Sequence, residues 1–132
     1  MSGQPKEFGL TNIGQISVTA YDLERAVAFY RDRLGMELLF AAEKMAFFDC
    51  GGVRLMLAVP EGKEFEHPAS IIYYRVENIG EAHKVLSGRG VAFAGEPQLI
   101  HKTDHYELWM AFFHDSEGNV AALMEEVTPE AA

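Results

Sequence analysis

One pattern of elements occurs twice in the 132 residues, and it constrains the fold more than any other feature of the sequence. In each half, an alternating apolar and polar stretch runs into a helix that a capping residue begins and a glycine ends. The caps are Asp22 and Asn78, 56 residues apart, and the closing glycines are Gly35 and Gly90, 55 residues apart. The same order at nearly the same spacing indicates an internal duplication.

Each half is predicted to form a βαβββ module, the first over residues 12–60 and the second over 69–126, within a single domain that covers residues 1–132. The polar segment 60–68, with a proline at each end, is predicted to link them. A module alone leaves one face of its sheet uncovered, so two modules are expected to bury or enclose that face together. The predicted fold is α+β, with two pseudo-symmetric modules whose curved mixed sheet surrounds a cup.

Charge and cysteine content restrict the classes of partner. The chain has 20 acidic and 11 basic residues, a formal net charge of −9 and no basic cluster, which argues against binding to nucleic acid. A single cysteine, Cys50, excludes an internal disulfide and is typical of a reducing compartment, so a cytoplasmic location is expected. No stretch is long and apolar enough to span a bilayer, so no membrane partner is expected.

Alternation along the strands predicts which side chains face the cup. Ile16 and Val18 are expected to pack against the first helix, which leaves the polar neighbours on the opposite side. An apolar cup with a few polar groups is the usual composition of a small-molecule site. For Trp109 the pattern leaves the face undetermined. The predicted ligand-binding residues are Gln15, Ser17, Arg54, Met56, Ile71, Tyr73, Trp109 and Ala122.

Two other interpretations of this face stay open. The cup can simply be filled by its own side chains, as protein interiors usually are. Arg54 can hold a carboxylate or phosphate in a bidentate grip, or it can point into water, as arginines at strand ends commonly do.

Two stretches carry a family resemblance. Segment 22–30 reads Asp-Leu-Glu-Arg-Ala-Val-Ala-Phe-Tyr and is followed by Leu34-Gly35, and segment 113–119 reads Phe-His-Asp-Ser-Glu-Gly-Asn. Both resemble the vicinal-oxygen-chelate superfamily of glyoxalase I, bleomycin-resistance proteins and extradiol dioxygenases, whose Asp-Pro-Asp-Gly-Asn turn has Ser116 in place of proline here. The resemblance covers nearly the whole chain and implies a homodimer, which exposed strand edges also favour. It does not define the activity, because this scaffold hosts isomerases, dioxygenases, epimerases and simple binders.

The resemblance also implies where a metal would be bound, through four ligands from the sheet. At those positions stand Gln15, Met56, Ile71 and Ala122. Gln15 has an amide oxygen and Met56 a soft sulfur, but the other two side chains have no donor. A divalent site needs at least three histidine or carboxylate ligands, so no metal or other cofactor is expected.

His101, His105 and Glu107 form the alternative group, either as displaced metal ligands or as an acid/base site. His105 and Glu107 have the two-residue spacing of one strand face. Histidines on surface loops are common, however, and the sequence fixes no further partner for these three.

The favoured function is binding of a small, partly apolar molecule in the cup without a metal, as in a sequestering or resistance protein. The first alternative is an enzyme: a metal-dependent lyase, isomerase or dioxygenase with displaced ligands, or a metal-free enzyme that uses Gln15, Tyr73 or Arg54. No catalytic residue is assigned. The second alternative is a structural or partner-binding role with a filled cup.

Overall fold

The computed structural model describes residues 8–63 and 70–128, and this part of the chain contains nine strands and two α-helices. Most of the predicted link, residues 64–68, lies outside the described residues. The elements of the first half are β1 (Gln15–Thr19), α1 (Leu23–Ala28), β2 (Glu37–Ala41), β3 (Met45–Cys50) and β4 (Val53–Ala58). Those of the second half are β5 (Ile72–Arg75), α2 (Ile79–Gly88), β6 (Ala92–Phe93), β7 (Gln98–Lys102), β8 (Glu107–His114) and β9 (Val120–Val127).

The strands form two sheets with corresponding orders. Sheet A runs β1-β4-β3-β2, and sheet B runs β5-β9-β8-β6 with β7 also paired to β8. In each sheet the first strand is parallel to the last strand of its half, and the remaining pairs are antiparallel. The α+β prediction is therefore confirmed. β7 is a strand that the sequence analysis did not include.

The predicted helix caps are confirmed. Oδ1 of Asp22 accepts a hydrogen bond of 3.1 Å from the backbone N–H of Arg25, and Oδ1 of Asn78 accepts one of 2.9 Å from the N–H of Glu81. Gly90 closes α2 at a φ of 90°, a backbone conformation that favours glycine because it has no Cβ. Local chemistry thus sets where each helix begins and where its segment ends.

The first helical segment changes type before it ends. Residues Phe29–Arg33 are π-helical, and the N–H of Leu34 donates to the carbonyl of Phe29 at 3.0 Å. The π-turn is wider than an α-turn. Here the consecutive rings of Phe29 and Tyr30 both lie in the core, in edge-to-face contact at 5.6 Å.

One hydrophobic core joins the two halves on the helix side of both sheets. Its buried members include Val18, Phe48, Leu57, Phe113 and Leu123, drawn from strands of sheet A and sheet B. The opposite faces of the sheets lie outside this core. Among the described residues, no helix is long and apolar enough to cross a membrane.

Candidate functional site

The candidate site is built on the two sheet faces that are turned away from the helices, here called the inner faces. The pairing of the strands shows which residues belong to each inner face, since residues that are paired on adjacent strands point to the same side of the sheet. The inner face of sheet A carries Gln15, Ser17, Phe40, Phe47, Arg54 and Met56. The inner face of sheet B carries Tyr73, Arg75, Met110, Phe112, Ala122 and Met124.

Arg54 has a fixed position on the inner face of sheet A. Gln15 lies beside it across the parallel β1–β4 ladder, and Nε of Arg54 donates to Oε1 of Gln15 at 2.9 Å. The guanidinium carbon lies 5.1 Å from the ring centroid of Phe47 on β3, within cation–π range. A guanidinium held by two neighbours can present its remaining N–H groups to an anion in one orientation.

An aromatic surface continues from Arg54 toward the edge of sheet A. The ring centroids of Phe47 and Phe40 are 4.7 Å apart, with 32° between the planes. Met56 lies next to Phe47 across the β3–β4 ladder. Because Phe40 is 53% exposed, much of this apolar surface remains accessible.

The inner face of sheet B is also apolar and partly exposed. Tyr73 and Phe112 make an edge-to-face contact at 6.0 Å, and Tyr73 is 43% exposed. A groove of about 180 Å³ runs beside them, lined in part by Ile100 and Met110. The cation on this face is paired, because Nη2 of Arg75 lies 2.8 Å from Oε1 of Glu126.

The structure places most of the predicted ligand-binding residues on the inner faces, in two groups. Gln15, Ser17, Arg54 and Met56 lie together on sheet A. Tyr73 and Ala122 are register neighbours on sheet B, and Ile71 precedes β5 with 44% of its surface exposed. Whether these residues bind a ligand stays a prediction.

Trp109 requires a correction. It packs against the shared core on the helix side of sheet B, and its Nε1 donates to Oε1 of Glu107 at 3.0 Å. The reason is strand parity: Ala111 and Phe113, at even spacing from Trp109 on β8, are both buried in the core. Met110 and Phe112 take the inner positions instead.

The residues at the family's metal positions do not fit a divalent ion. Nε2 of Gln15 lies 3.7 Å from Sδ of Met56, and that pair supplies one amide and one thioether. Ile71 and Ala122 have no donor atoms in their side chains. Among the described residues, no group of three or more histidine, cysteine or acidic side chains could hold a metal ion.

The alternative histidine group is not brought together. His101 pairs with Leu108 across the β7–β8 ladder, whereas Glu107 is the neighbour of Lys102 on the opposite side of the same ladder. Glu107 is also engaged by Trp109 and by Lys102, whose Nζ is 3.7 Å from Oε2. His105 lies in the turn before β8, where its backbone N–H donates to Oγ1 of Thr103.

Phe40, Phe47, Met110 and Phe112 are inner-face residues that sequence reasoning missed. β3 is apolar at Met45, Ala46, Phe47 and Phe48, so alternation alone cannot tell its two faces apart. The hairpin at Gly51-Gly52 could have identified the face of Phe47. A hairpin fixes the register between its two strands, here β3 and β4, and so pairs Phe47 with Met56.

A polar turn holds the two halves in position behind these faces. Glu117 accepts from the backbone N–H of Tyr21 and of Asp22, at 2.8 and 2.9 Å, and forms an ion pair of 2.8 Å with Arg25. Desolvation disfavours the charged carboxylate, but the hydrogen bonds from Arg25, Asp22, Ser116 and Tyr21 outweigh it and lower the pKa of Glu117 to about 2. The turn is thus tied to the start of α1 through a carboxylate that stays ionised.

Comparison with known proteins identifies relatives of this fold. The model of the Glyoxalase/Bleomycin resistance protein/Dioxygenase superfamily matches residues 12–123. A search of the curated proteins gives no significant match to the sequence.

Solved structures resemble the chain over most of its length. A member of the glyoxalase/bleomycin resistance protein/dioxygenase superfamily from Sphaerobacter thermophilus is 24% identical with a TM-score of 0.73, covering 88% of this chain and 98% of its own. A glyoxalase/bleomycin resistance protein/dioxygenase from Nocardioides is 20% identical with a TM-score of 0.72 over 95% and 91%. A lactoylglutathione lyase from Agrobacterium tumefaciens is 18% identical with a TM-score of 0.68 over 88% and 94%. At these identities the similarity shows the fold alone.

Proposed function

The chain belongs to the Glyoxalase/Bleomycin resistance protein/Dioxygenase superfamily, and from that premise we propose that it binds a small, partly apolar molecule on its inner faces without a divalent metal. The observation that carries the proposal is the exposed aromatic surface of Phe47 and Phe40 beside the fixed guanidinium of Arg54. Small-molecule sites combine an apolar lining with a few polar groups that orient the ligand.

The second part of the proposal is that the protein acts as a homodimer. The groove on sheet B has a volume of about 180 Å³, whereas pockets for small molecules usually enclose roughly 300–1,000 Å³. Exposed apolar side chains on the inner sides of both sheets, among them Phe40 and Tyr73, favour a surface that another chain covers. A second copy can supply the missing wall, and a closed site then lies between an inner face of one copy and an inner face of the other. We also propose a cytoplasmic location, on the basis of the single cysteine.

Binding is tested with a thermal-shift screen of small aromatic compounds, followed by calorimetry on the compounds that raise the melting temperature. We expect Phe47→Ala and Tyr73→Ala to weaken binding by about tenfold, the usual effect of removing a buried aromatic contact at a site. Val85→Ala is the matched control, because Val85 is a 40% exposed apolar residue on α2, away from both inner faces. Equal affinity for all three variants and the unmodified protein would contradict the proposed site.

Assembly is tested by sedimentation velocity on the same proteins. The unmodified chain is expected to sediment as a dimer, and Phe40→Glu to shift it to the monomer, because an added charge would be buried at the contact. Val85→Glu is the control and is expected to leave the dimer intact. A monomeric unmodified protein at micromolar concentration would contradict the second part of the proposal.

A further inference from the structure

We propose that the inner face of sheet A recognises the carboxylate of a flat, mainly apolar acid, with Arg54 as its anion-binding residue. This inference rests on the proposed function and narrows it to a class of ligand. Three features of the face carry it: the free edge of the guanidinium, the sign of the neighbouring charges and the aromatic surface next to it.

The guanidinium of Arg54 is oriented but not saturated. Its Nε donates to Gln15 at 2.9 Å, and its carbon lies 5.1 Å from the ring centroid of Phe47 on β3. Among the described residues, Arg54 makes its side-chain hydrogen bond through Nε, and its two terminal nitrogens take part in no ion pair of this chain. Those two nitrogens form the edge that binds a carboxylate through two parallel hydrogen bonds.

Three other arginines in the described residues are engaged by carboxylates of this chain, and Arg33 and Arg89 donate to backbone carbonyls. Arg25, Arg31 and Arg75 each lie 2.8 Å from an acidic oxygen. Arg54 differs although Asp49 is its direct neighbour across the β3–β4 ladder, because the guanidinium is turned toward Gln15 on β1. Arg54 therefore remains available to an external anion.

The charges in the same row of the sheet favour a monoanion. Asp49 lies next to Arg54, and Glu37 is the register partner of Asp49 on β2. Two carboxylates beside one guanidinium repel a dianion such as a phosphate monoester more strongly than a single carboxylate. Residues in this row thus select for carboxylates over phosphates.

The aromatic surface next to Arg54 favours a flat apolar group in the part of the ligand beyond its carboxylate. Phe47 contacts both Arg54 and Phe40, so an acid bound to the guanidinium continues over two rings. Aromatic faces pack best against flat groups in offset or edge-to-face arrangements. Gln15 adds a donor, because the partner of its Nε2 within the described part of the chain is the sulfur of Met56 at 3.7 Å, a weak acceptor.

The test uses three probes that share a phenyl ring, measured by calorimetry at neutral pH: 3-phenylpropanoate, its isosteric amide 3-phenylpropanamide, and phenyl phosphate. We expect the carboxylate to bind about tenfold or more tightly than the amide, and phenyl phosphate to bind more weakly than the carboxylate. Arg54→Gln is expected to remove the preference for the carboxylate. Arg54→Lys should keep only part of the preference for the carboxylate. The lysine ammonium has the same charge, but it lacks the paired N–H groups of the guanidinium.

Two further variants separate binding of the carboxylate by Arg54 from the effect of the protein's overall charge. Lys84→Gln removes an exposed cation from α2 and is expected to leave the affinity for 3-phenylpropanoate unchanged. Asp49→Asn removes the neighbouring negative charge and should tighten binding of the carboxylate roughly threefold. A merely structural role of Arg54 would not produce that gain.

The outcomes distinguish this inference from the proposed function. If the amide and the carboxylate bind equally, and both depend on Phe47, the inner face binds small molecules but the carboxylate inference is wrong. If the preference for the carboxylate survives in Arg54→Gln, the anion is bound elsewhere and the inference is also wrong. If a broad aromatic screen shows no binding that Phe47→Ala or Tyr73→Ala weakens, both proposals fail.

Discussion

The hydroxyl of Tyr30 donates a hydrogen bond of 2.7 Å to Oδ2 of Asp115, and this contact joins the two halves inside their shared core. Asp115 is 6% exposed and accepts three further hydrogen bonds, from the backbone N–H of Glu117 and from the backbone and side-chain N–H groups of Asn119. Four donors compensate for burying one carboxylate. Burial, followed by the neighbouring charge of Asp115, raises the pKa of Tyr30, so its hydroxyl remains a donor.

Removing this hydroxyl is expected to destabilise the protein. Tyr30→Phe should lower the free energy of unfolding by about 2 kcal/mol, because a hydrogen bond to a buried carboxylate is lost. Tyr74→Phe is a matched control, since the hydroxyl of Tyr74 is buried and has no hydrogen-bond partner among the described residues. It should be neutral or slightly stabilising in urea denaturation. Equal losses for both variants would contradict the role given to the Tyr30–Asp115 bond.

The lowered pKa of Glu117 predicts how the free energy of unfolding depends on pH. Its pKa is about 2 in the folded protein against 4.5 for the free side chain, so the folded state favours the ionised form. A lowered carboxyl pKa contributes stability that is fully present above pH 4.5 and is lost as the pH falls through about 2. Glu117→Gln should therefore cost about 2 kcal/mol at pH 7, and progressively less between pH 4.5 and 2.

The measurement is urea denaturation at several pH values between 7 and 2.5. Glu43→Gln is the control, because Glu43 is exposed in the turn between β2 and β3. It is expected to follow the unmodified protein throughout. If Glu117→Gln runs parallel to the unmodified protein over the whole range, the ion pair with Arg25 does not contribute to the acid dependence.

Two nearby glycines should respond in opposite directions to the same substitution. Gly90 has a φ of 90°, and a Cβ there would lie 3.4 Å from the Arg33 guanidinium, which also donates to the carbonyl of Gly90. Gly90→Ala is expected to lose about 1 kcal/mol or more. Gly88→Ala, at the last residue of α2 with open space around its Cβ position, should gain up to about 1 kcal/mol. Thermal unfolding measures both, and a gain at Gly90 would contradict the conformational argument.

The helix caps offer a fourth test of stability. Asp22→Ala removes the side-chain acceptor for the N–H of Arg25 and should cost about 1 kcal/mol. Asn78→Ala removes the equivalent acceptor in the second half and is expected to cost a similar amount. Denaturant midpoints at pH 7 provide the values. A neutral result for Asp22→Ala alone would mean that the contacts of Glu117 fix the start of α1 without the cap.

Local chemistry explains what could be predicted from the sequence. Asp22, Gly35 and Gly90 fulfil their expected roles because capping and positive φ depend on the residue itself and its near neighbours. β7 was missed because its two apolar residues, Leu99 and Ile100, are adjacent and do not alternate with polar ones, and all five of its residues are exposed. It is a strand because it pairs with β8, and the sequence pattern of β7 alone does not show that pairing.

The candidate site was predictable only where a strand alternates between apolar and polar residues. β1 does so, and Gln15 and Ser17 were therefore assigned to the correct face. β8 is apolar on both sides, so its sequence does not show which side chains face the core. The register with β9 decides this, and it places Trp109 on the helix side of sheet B. The contact between Arg54 and Phe47 likewise depends on the β3–β4 register.

Gln15 should separate ligand binding from stability. Gln15→Ala removes the acceptor that orients Arg54, so the affinity for 3-phenylpropanoate is expected to fall several-fold. Because Gln15 is exposed, the free energy of unfolding should change by less than about 0.5 kcal/mol. Asn12→Ala is the control, since Asn12 is an exposed amide before β1 whose side chain donates to the adjacent Thr11. Calorimetry and urea denaturation on the same preparations supply both values. Marked unfolding with unchanged affinity would assign Gln15 to the fold, because an orienting residue must affect the guanidinium that it holds.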